Sequence, residues 1–139
     1  MSQHTLIRVL IVDDYTIVRE GLAAMLSGQP DMVLVGMATC GNEALLLVQT
    51  TRPDLVLLDM VMPTQDGVDS LAVLRAIKQI QPTTHILLLT SMTNDECLLA
   101  ALKAGAAGYI PKDAGREHIL AAIRNLAART AEISPPATE

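Results

Sequence analysis

Polar side chains follow four of the five short apolar segments in this sequence, at the point where each segment ends. Asp13 and Asp14 follow the first segment, and Asp59 follows the third. Thr90 follows the fourth, and Lys112 lies just past the fifth. If the segments are parallel strands, their carboxyl ends meet at one edge of a sheet, where functional groups gather. The sequence therefore predicts that these five side chains form one site.

The chemistry of this set is coherent. Three neighbouring carboxylates repel one another unless a cation lies between them, and oxygen ligands suit Mg²⁺. An aspartate is also a competent nucleophile for phosphoryl transfer, forming an acyl phosphate. Lys112 and the metal would neutralise charge on the transferred group, and Thr90 could donate a hydrogen bond to it. We therefore predict that Asp59 accepts a phosphoryl group and acts as a reversible switch.

Each of these residues also has an ordinary explanation when it is taken alone. Asp14 could cap the first helix, and Thr90 could cap a later one. Asp59 could start a turn, and Lys112 could be a solvated lysine. We do not expect four separate strand ends to supply complementary groups by chance, so a shared site is the better interpretation.

The elements that must position these residues follow from the apolar pattern. Nearly continuous runs of Val, Ile and Leu predict strands that are buried on both faces. The predicted strands are Val9–Val12, Met32–Gly36, Leu55–Leu58, Ile86–Leu89 and Gly108–Ile110. Segments with helical spacing lie between them, around Val18–Leu26, from Asn42 to about Thr50, around Leu71–Ile77, from Asn94 to about Lys103 and from Arg116 to about Arg129. This alternation predicts an α/β fold of the (βα)5 type: a doubly wound, flavodoxin-like three-layer sandwich with a five-stranded parallel sheet in the order 2-1-3-4-5.

The length and composition of the chain indicate how many domains it has and what kind of protein it is. A chain of 139 residues, half of them apolar, is the size of one domain, which we place at residues 1–129. Residues 130–139 include Ser134-Pro135-Pro136 and are typical of a tail or the start of an interdomain linker. The net charge of −5 argues against a nucleic-acid-binding surface. With two isolated cysteines and neither a signal peptide nor a membrane span in the sequence, we expect a soluble protein in the cytoplasm.

These features together resemble the receiver domain of response regulators in two-component signalling, from about Arg8 to about Arg129. The Arg19-Glu-Gly-Leu stretch and the ending of the fifth segment are most similar to regulators of the NarL/FixJ family, which carry a LuxR-type output domain. The stretches that carry the resemblance are Val9-Leu-Ile-Val-Asp-Asp, Leu57-Leu-Asp-Met-Val-Met-Pro with Gly67, Leu89-Thr-Ser, and Ala104-Gly-Ala-Ala-Gly-Tyr-Ile-Pro-Lys112.

The resemblance implies roles for residues at the predicted site. Asp59 matches the phosphoacceptor, and Asp13 and Asp14 match the acidic pair that holds Mg²⁺, with Mn²⁺ as an alternative ion. The backbone carbonyl of Val61 matches the third protein ligand of the metal. Lys112 matches the lysine that contacts the acceptor and its phosphate. Such a domain assists its own phosphorylation and dephosphorylation without being a turnover enzyme.

The resemblance also implies a switch and partners. Thr90 and Tyr109 match a pair in which the hydroxyl moves toward the phosphoryl group and the aromatic ring turns inward. The donor would be the phosphohistidine of a sensor histidine kinase, and the readout face would lie around Asn94–Ala128. DNA would be bound only through a domain outside this chain, no membrane partner is expected, and a homodimer is compatible with the sequence. The implied function is therefore a phosphorylation-dependent relay that regulates transcription.

Three positions depart from common patterns of the family. Asp113 follows Lys112 where many receivers have a proline in a cis bond, so no cis peptide is expected there. Val61 and Met92 are apolar where many receivers have polar side chains. We hypothesise that these two residues slow hydrolysis of the phosphoaspartate, and the alternative is that the methionines nearby only fill gaps in packing.

Other functions fit the sequence less well. A phosphatase with an aspartyl nucleophile needs a second aspartate two residues after the first, and that position is Val61. A nucleotide-binding module would need a Gly-rich loop after the first strand, where this chain has Asp13-Asp14-Tyr15. A stand-alone receiver that acts by protein–protein interaction stays open as the main alternative to the receiver of a DNA-binding regulator.

Overall fold

Strands and helices alternate along the chain. The computed structural model describes residues 6–60, 69–90 and 95–133. Within these ranges the strands are β1 (Ile7–Val12), β2 (Met32–Ala38), β3 (Leu55–Asp59), β4 (His85–Thr90) and β5 (Gly108–Pro111). The helices are α1 (Thr16–Ser27), α2 (Gly41–Thr51), α3 (Ser70–Ile80), α4 (Asp95–Lys103) and α5 (Arg116–Ile133). The predicted (βα)5 pattern is therefore confirmed.

The strands form one parallel sheet in the order β2-β1-β3-β4-β5, as predicted. In the register of this sheet, Val12 of β1 lies beside Leu58 of β3, and Leu58 lies beside Leu88 of β4. The carboxyl ends of three neighbouring strands therefore reach the same edge of the sheet. That edge is where Asp13, Asp59 and the end of β4 come together.

The core consists of one apolar layer on each face of the sheet. Successive residues of a strand point to opposite faces, so β1 contributes to both layers. One layer packs against α1 and α5 and includes Val9, Ile11, Leu57, Leu26, Leu120 and Ile123. The other packs against α2, α3 and α4 and includes Leu10, Val56, Leu58, Val48, Ile77 and Ala101. Burial on both faces explains why the strands are nearly continuous apolar runs.

Two element ends show why the chain turns where it does. Asp69 caps the N-terminus of α3, since its Oδ1 accepts a hydrogen bond from the backbone N–H of Ala72 at 2.9 Å. Gly105 follows α4 with a φ of +119°, a conformation that favours glycine. A Cβ at this position would also lie 3.2 Å from the Cγ of Lys78, so the turn packs closely against α3.

The last helix differs from the prediction. It continues to Ile133, whereas the sequence pattern predicted an end near Arg129 and a tail from residue 130. Ala131 and Glu132 are good helix formers, and the first proline after them is Pro135, so the missing apolar periodicity does not end the helix. Although α5 has 18 residues, none of the helices in the described ranges is long and apolar enough to cross a membrane.

Candidate functional site

Asp13 is fixed at the carboxyl end of β1 by three hydrogen bonds. Its backbone N–H donates to the carbonyl of Ala38 at 3.0 Å, which extends the pairing of β1 with β2. Its Oδ1 accepts from the backbone N–H of Tyr15 at 2.9 Å, and its carbonyl accepts from the Arg19 guanidinium at 2.9 Å. Because the residue is fully buried, these contacts hold the carboxylate in one orientation.

Asp59 is the last residue of β3 and is also fully buried. Its carbonyl accepts a hydrogen bond of 2.6 Å from the Oγ of Ser70, the first residue of α3. The next backbone N–H, that of Met60, donates to the carbonyl of Leu89 at 2.8 Å. The position of the carboxylate is therefore set by the sheet on one side and by α3 on the other.

Asp13, Asp14 and Asp59 form an acidic cluster. One carboxylate oxygen from each lies within 4.8 Å of the other two. Asp14 is half-buried, and its buried Oδ1 accepts no hydrogen bond within the part of the chain that the structure describes. Buried carboxylates at this spacing repel one another, so the cluster favours a bound cation. Oxygen atoms alone are the donor set that hard divalent cations such as Mg²⁺ prefer.

Lys112 brings a positive charge to this cluster. Its Nζ lies 3.1 Å from Oδ1 of Asp59 and 3.6 Å from Oδ2 of Asp13. Its backbone N–H donates to the carbonyl of Thr90 at 2.8 Å, which fixes the loop after β5 against the end of β4. The peptide bond between Lys112 and Asp113 is trans.

The charge of Lys112 is stabilised by its surroundings. Burial is the largest single influence and lowers the pKa of this ammonium, but the hydrogen bond and charge of Asp59, with the charge of Asp13, outweigh it. The net result is a pKa above the ordinary value of 10.5. Because the pKa is raised in the folded state, the stabilisation is complete below pH 10.5 and is lost as the pH rises through the raised value. Lys112 is therefore an ammonium ion at neutral pH.

The cluster and Lys112 together carry an excess of negative charge. One ammonium balances only one of three carboxylates, which leaves two negative charges that a single divalent cation would balance. Phosphoryl transfer needs the same combination, since charge on the transferred group is neutralised by cations and by hydrogen-bond donors. The arrangement can therefore present one buried carboxylate as a nucleophile beside Lys112, and a bound divalent cation would add a second positive centre.

The two residues of the predicted switch differ in exposure. Thr90 is the last residue of β4, is 3% exposed and lies at the same edge as the acidic cluster. Tyr109 lies in β5 beside Leu88, and its side chain is 50% exposed. The structure thus brings Thr90 to the site and leaves Tyr109 half-exposed. Val61 and Met92 lie outside the described residues, so the roles predicted for them stay predictions.

Three contacts at the site were not evident in the sequence. Ser70 and Arg19 hold the backbone of Asp59 and Asp13, and the ring of Tyr15 lies over the Lys112 ammonium, 5.5 Å from Nζ to the ring centroid. The partner groups are between 6 and 97 positions apart along the chain, so only the fold brings them together. For Tyr15 the sequence contained two signals: its position directly after Asp13 and Asp14, which was compatible with lining the site or with packing the start of α1, and the rarity of aromatic residues, since Tyr15 and Tyr109 are the only two.

Comparisons with known proteins show which family the chain resembles. The family model for the response regulator receiver domain matches residues 9–124. The chain is 42% identical over 113 residues to the uncharacterized transcriptional regulatory protein YhcZ of Bacillus subtilis, covering 81% of this chain and 51% of YhcZ. It is 38% identical over 130 residues to the response regulator GacA of Pseudomonas aeruginosa, covering 94% of this chain and 59% of GacA. The chain thus spans little more than half the length of these relatives.

Solved structures show the same relationship. The receiver domain of the putative response regulator NarL from Mycobacterium tuberculosis superposes with a TM-score of 0.82 at 34% identity, covering 89% of this chain and 98% of that one. A LuxR-family response regulator from Aurantimonas superposes with a TM-score of 0.80 at 32% identity, covering 89% of this chain and 87% of that one. The chain belongs to the response regulator receiver domain family, and its relatives include regulators of the NarL/LuxR type.

Proposed function

We propose that this chain is a phosphorylation-dependent signalling switch in which Asp59 accepts a phosphoryl group from a sensor histidine kinase in the cytoplasm. The main observation behind the proposal is that a lysine ammonium and two further carboxylates surround the buried carboxylate of Asp59. The Asp59 carboxylate lies 3.1 Å from the Lys112 ammonium and within 4.8 Å of the other two carboxylates of the cluster. The comparisons support this proposal, because the family is that of receiver domains.

The transfer itself would proceed as an in-line displacement. An oxygen of the Asp59 carboxylate attacks phosphorus, and the bond from phosphorus to the donor imidazole nitrogen breaks. The electron pair of that bond stays on the imidazole, which leaves as the neutral ring because the other nitrogen of the phosphohistidine ring already carries a proton. Lys112 remains protonated and balances negative charge on the equatorial oxygens, while the Thr90 hydroxyl can donate a hydrogen bond to one of them.

Mg²⁺ is the proposed metal of this site, with Mn²⁺ as a substitute. Asp13, Asp14 and Asp59 would hold it, and Val61 would add its backbone carbonyl. The bound ion would supply positive charge for the oxygens of the phosphoryl group. The chain is not proposed to be a turnover enzyme, since the acceptor is its own side chain.

Replacing Asp14 by asparagine tests the metal site without phosphorylation. A cation that binds only the folded chain raises the free energy of unfolding, by about 2.7 kcal/mol at 100 times its dissociation constant. We expect Mg²⁺ to raise the midpoint of thermal unfolding of the parent and to have little effect on Asp14→Asn. The control is Asp113→Asn, which removes an exposed carboxylate beside Lys112 and should keep the full response. An equal response of Asp14→Asn and the parent to Mg²⁺ would contradict the assignment.

The relay is proposed to run from Thr90 to Tyr109. We propose that half-exposed Tyr109 of β5 and two exposed leucines of α4, Leu99 and Leu102, contribute to one apolar surface. Phosphorylation would draw the Thr90 hydroxyl toward the phosphoryl group and let the ring move inward, which changes this apolar surface. We propose that the surface transmits the signal to an output domain.

Tyrosine fluorescence can follow this switch directly. The chain has two tyrosines and no tryptophan, so Tyr15→Phe leaves Tyr109 as the only fluorophore of its kind. We expect acrylamide quenching of Tyr109 fluorescence to fall when this variant is phosphorylated with acetyl phosphate and Mg²⁺. Adding Thr90→Val should abolish the change in quenching while intact mass still shows a phosphoryl adduct. Quenching that is the same in the phosphorylated and unphosphorylated protein would rule out the relay through Tyr109.

DNA binding is proposed for a domain outside this chain. The curated relatives bear names such as DNA-binding transcriptional activator DevR/DosR, of which this chain covers 55% at 35% identity. The net charge of −5 also makes the receiver itself a poor partner for DNA phosphates. A fusion of this chain to a LuxR-type output domain should bind its DNA site more tightly after phosphorylation.

A further inference from the structure

Tyr15 is placed where the acceptor, the lysine and the acidic pair meet. It directly follows Asp14 and is the residue that precedes the first turn of α1. Its ring lies over the Lys112 ammonium at 5.5 Å from the centroid, within the range of a cation–π contact. The same ammonium lies 3.1 Å from the Asp59 carboxylate. Lys112 is thus held between an aromatic ring and the acceptor.

We propose that Tyr15 is a positioning residue whose ring keeps the Lys112 ammonium over the Asp59 carboxylate, which speeds phosphorylation of Asp59. The proposal rests on the proposed function of the site. The lysine side chain has a flexible four-carbon stem and loses rotamer freedom when it is held in one place. It is 21% exposed, so it can also turn out toward water. The ring stabilises the inward position against this alternative.

A purely structural role explains Tyr15 poorly. Its side chain is 60% exposed and belongs to neither apolar layer of the core. It makes no hydrogen bond that caps α1. Its backbone N–H does bond to Oδ1 of Asp13, but any residue other than proline keeps that contact. What distinguishes a tyrosine at this position is therefore the ring over Lys112.

The size of the effect follows from the contact. Cation–π contacts at exposed sites are worth about 0.5–1 kcal/mol, which corresponds to about a two- to fivefold change in the ratio of the inward to the outward lysine. We expect Tyr15→Leu to be phosphorylated by acetyl phosphate at saturating Mg²⁺ more slowly than the parent, by up to about fivefold. Tyr15→Phe keeps the aromatic face and should retain the rate of the parent, because the hydroxyl takes no part.

A spectroscopic measurement tests the contact independently of phosphorylation. The chain has three lysines, so a protein labelled with ¹³C at lysine Cε gives three methylene signals, and Lys112→Met identifies the one from Lys112. The ring current of Tyr15 should shift this signal upfield in the unphosphorylated parent and in Tyr15→Phe. The shift should disappear in Tyr15→Leu and persist in Tyr109→Leu, the matched control for loss of a tyrosine.

The outcomes separate this inference from the function on which it rests. A Lys112 signal that is the same in Tyr15→Leu and the parent would overturn the contact, and equal phosphorylation rates would overturn its consequence. A parent that shows the ring-current shift but acquires no phosphoryl group would overturn the proposed function itself. A slower Tyr15→Leu that has lost the shift, rescued in both respects by Tyr15→Phe, would establish the role.

Discussion

Replacing Lys112 by methionine is expected to slow phosphorylation of Asp59 by acetyl phosphate and Mg²⁺ about 100-fold, the usual cost of removing a preorganised donor from developing negative charge. The ammonium is 3.1 Å from the acceptor carboxylate and is held there by the loop that follows β5. Methionine preserves the length of the side chain but has no charge. The initial rate can be measured by intact mass at fixed concentrations of donor and metal.

Lys103→Met is the matched control for this prediction. Lys103 lies in the last turn of α4, where its side chain is exposed, so the same substitution there should leave the rate unchanged. Both variants should be compared in Mg²⁺, because Lys112→Met leaves the repulsion within the acidic cluster unbalanced when no cation is bound. A Lys112→Met rate equal to that of Lys103→Met would show that the lysine has no role in the transfer.

The sheet and the order of its elements could be predicted from the sequence because their signals are local. Strands buried on both faces appear as short apolar runs, and Val56, Leu57 and Leu58 do face alternate layers of the core. The acidic cluster could be predicted for a related reason. Its members follow directly after strands, so the parallel topology alone brings Asp13 and Asp59 to one edge.

The supporting contacts could not be predicted, because they depend on side-chain orientation. Ser70 donates to the carbonyl of Asp59 from the first turn of a helix 11 residues later. Tyr15 reaches Lys112 only because α1 begins beside the loop after β5. The spacing and periodicity of residues in the sequence give no sign of either contact. The end of α5 was predicted too early because the prediction relied on the apolar pattern, which stops near Arg129. The helix continues to Ile133 because the residues that follow are good helix formers.

The hypothesis about hydrolysis stays a prediction. Val61 and Met92, which we expect to shield the phosphoaspartate from water, lie outside the described residues. Tyr15 lies within them, next to Asp14 and over Lys112, and it adds an aromatic side chain to the same group of residues. Whether Val61 and Met92 slow hydrolysis or only fill gaps in packing can be tested by measuring the lifetime of the phosphoaspartate.

Asp59→Asn is expected to abolish phosphorylation altogether. The amide that replaces the carboxylate is nearly the same size but cannot attack phosphorus to form an acyl phosphate. The substitution also removes one charge from the acidic cluster, so less repulsion remains and the variant should fold at least as stably as the parent in the absence of metal. Asp113→Asn, an exposed position close by, should be phosphorylated like the parent.

Identification of the phosphorylated residue tests the central claim most directly. Reduction of the acyl phosphate with borohydride converts the acceptor aspartate to homoserine, which tandem mass spectrometry can locate in the chain. After incubation with acetyl phosphate and Mg²⁺, we expect homoserine at residue 59 of the parent and none in Asp59→Asn. Homoserine at Asp13 or Asp14 instead, or a phosphoryl adduct that persists in Asp59→Asn, would contradict the central claim.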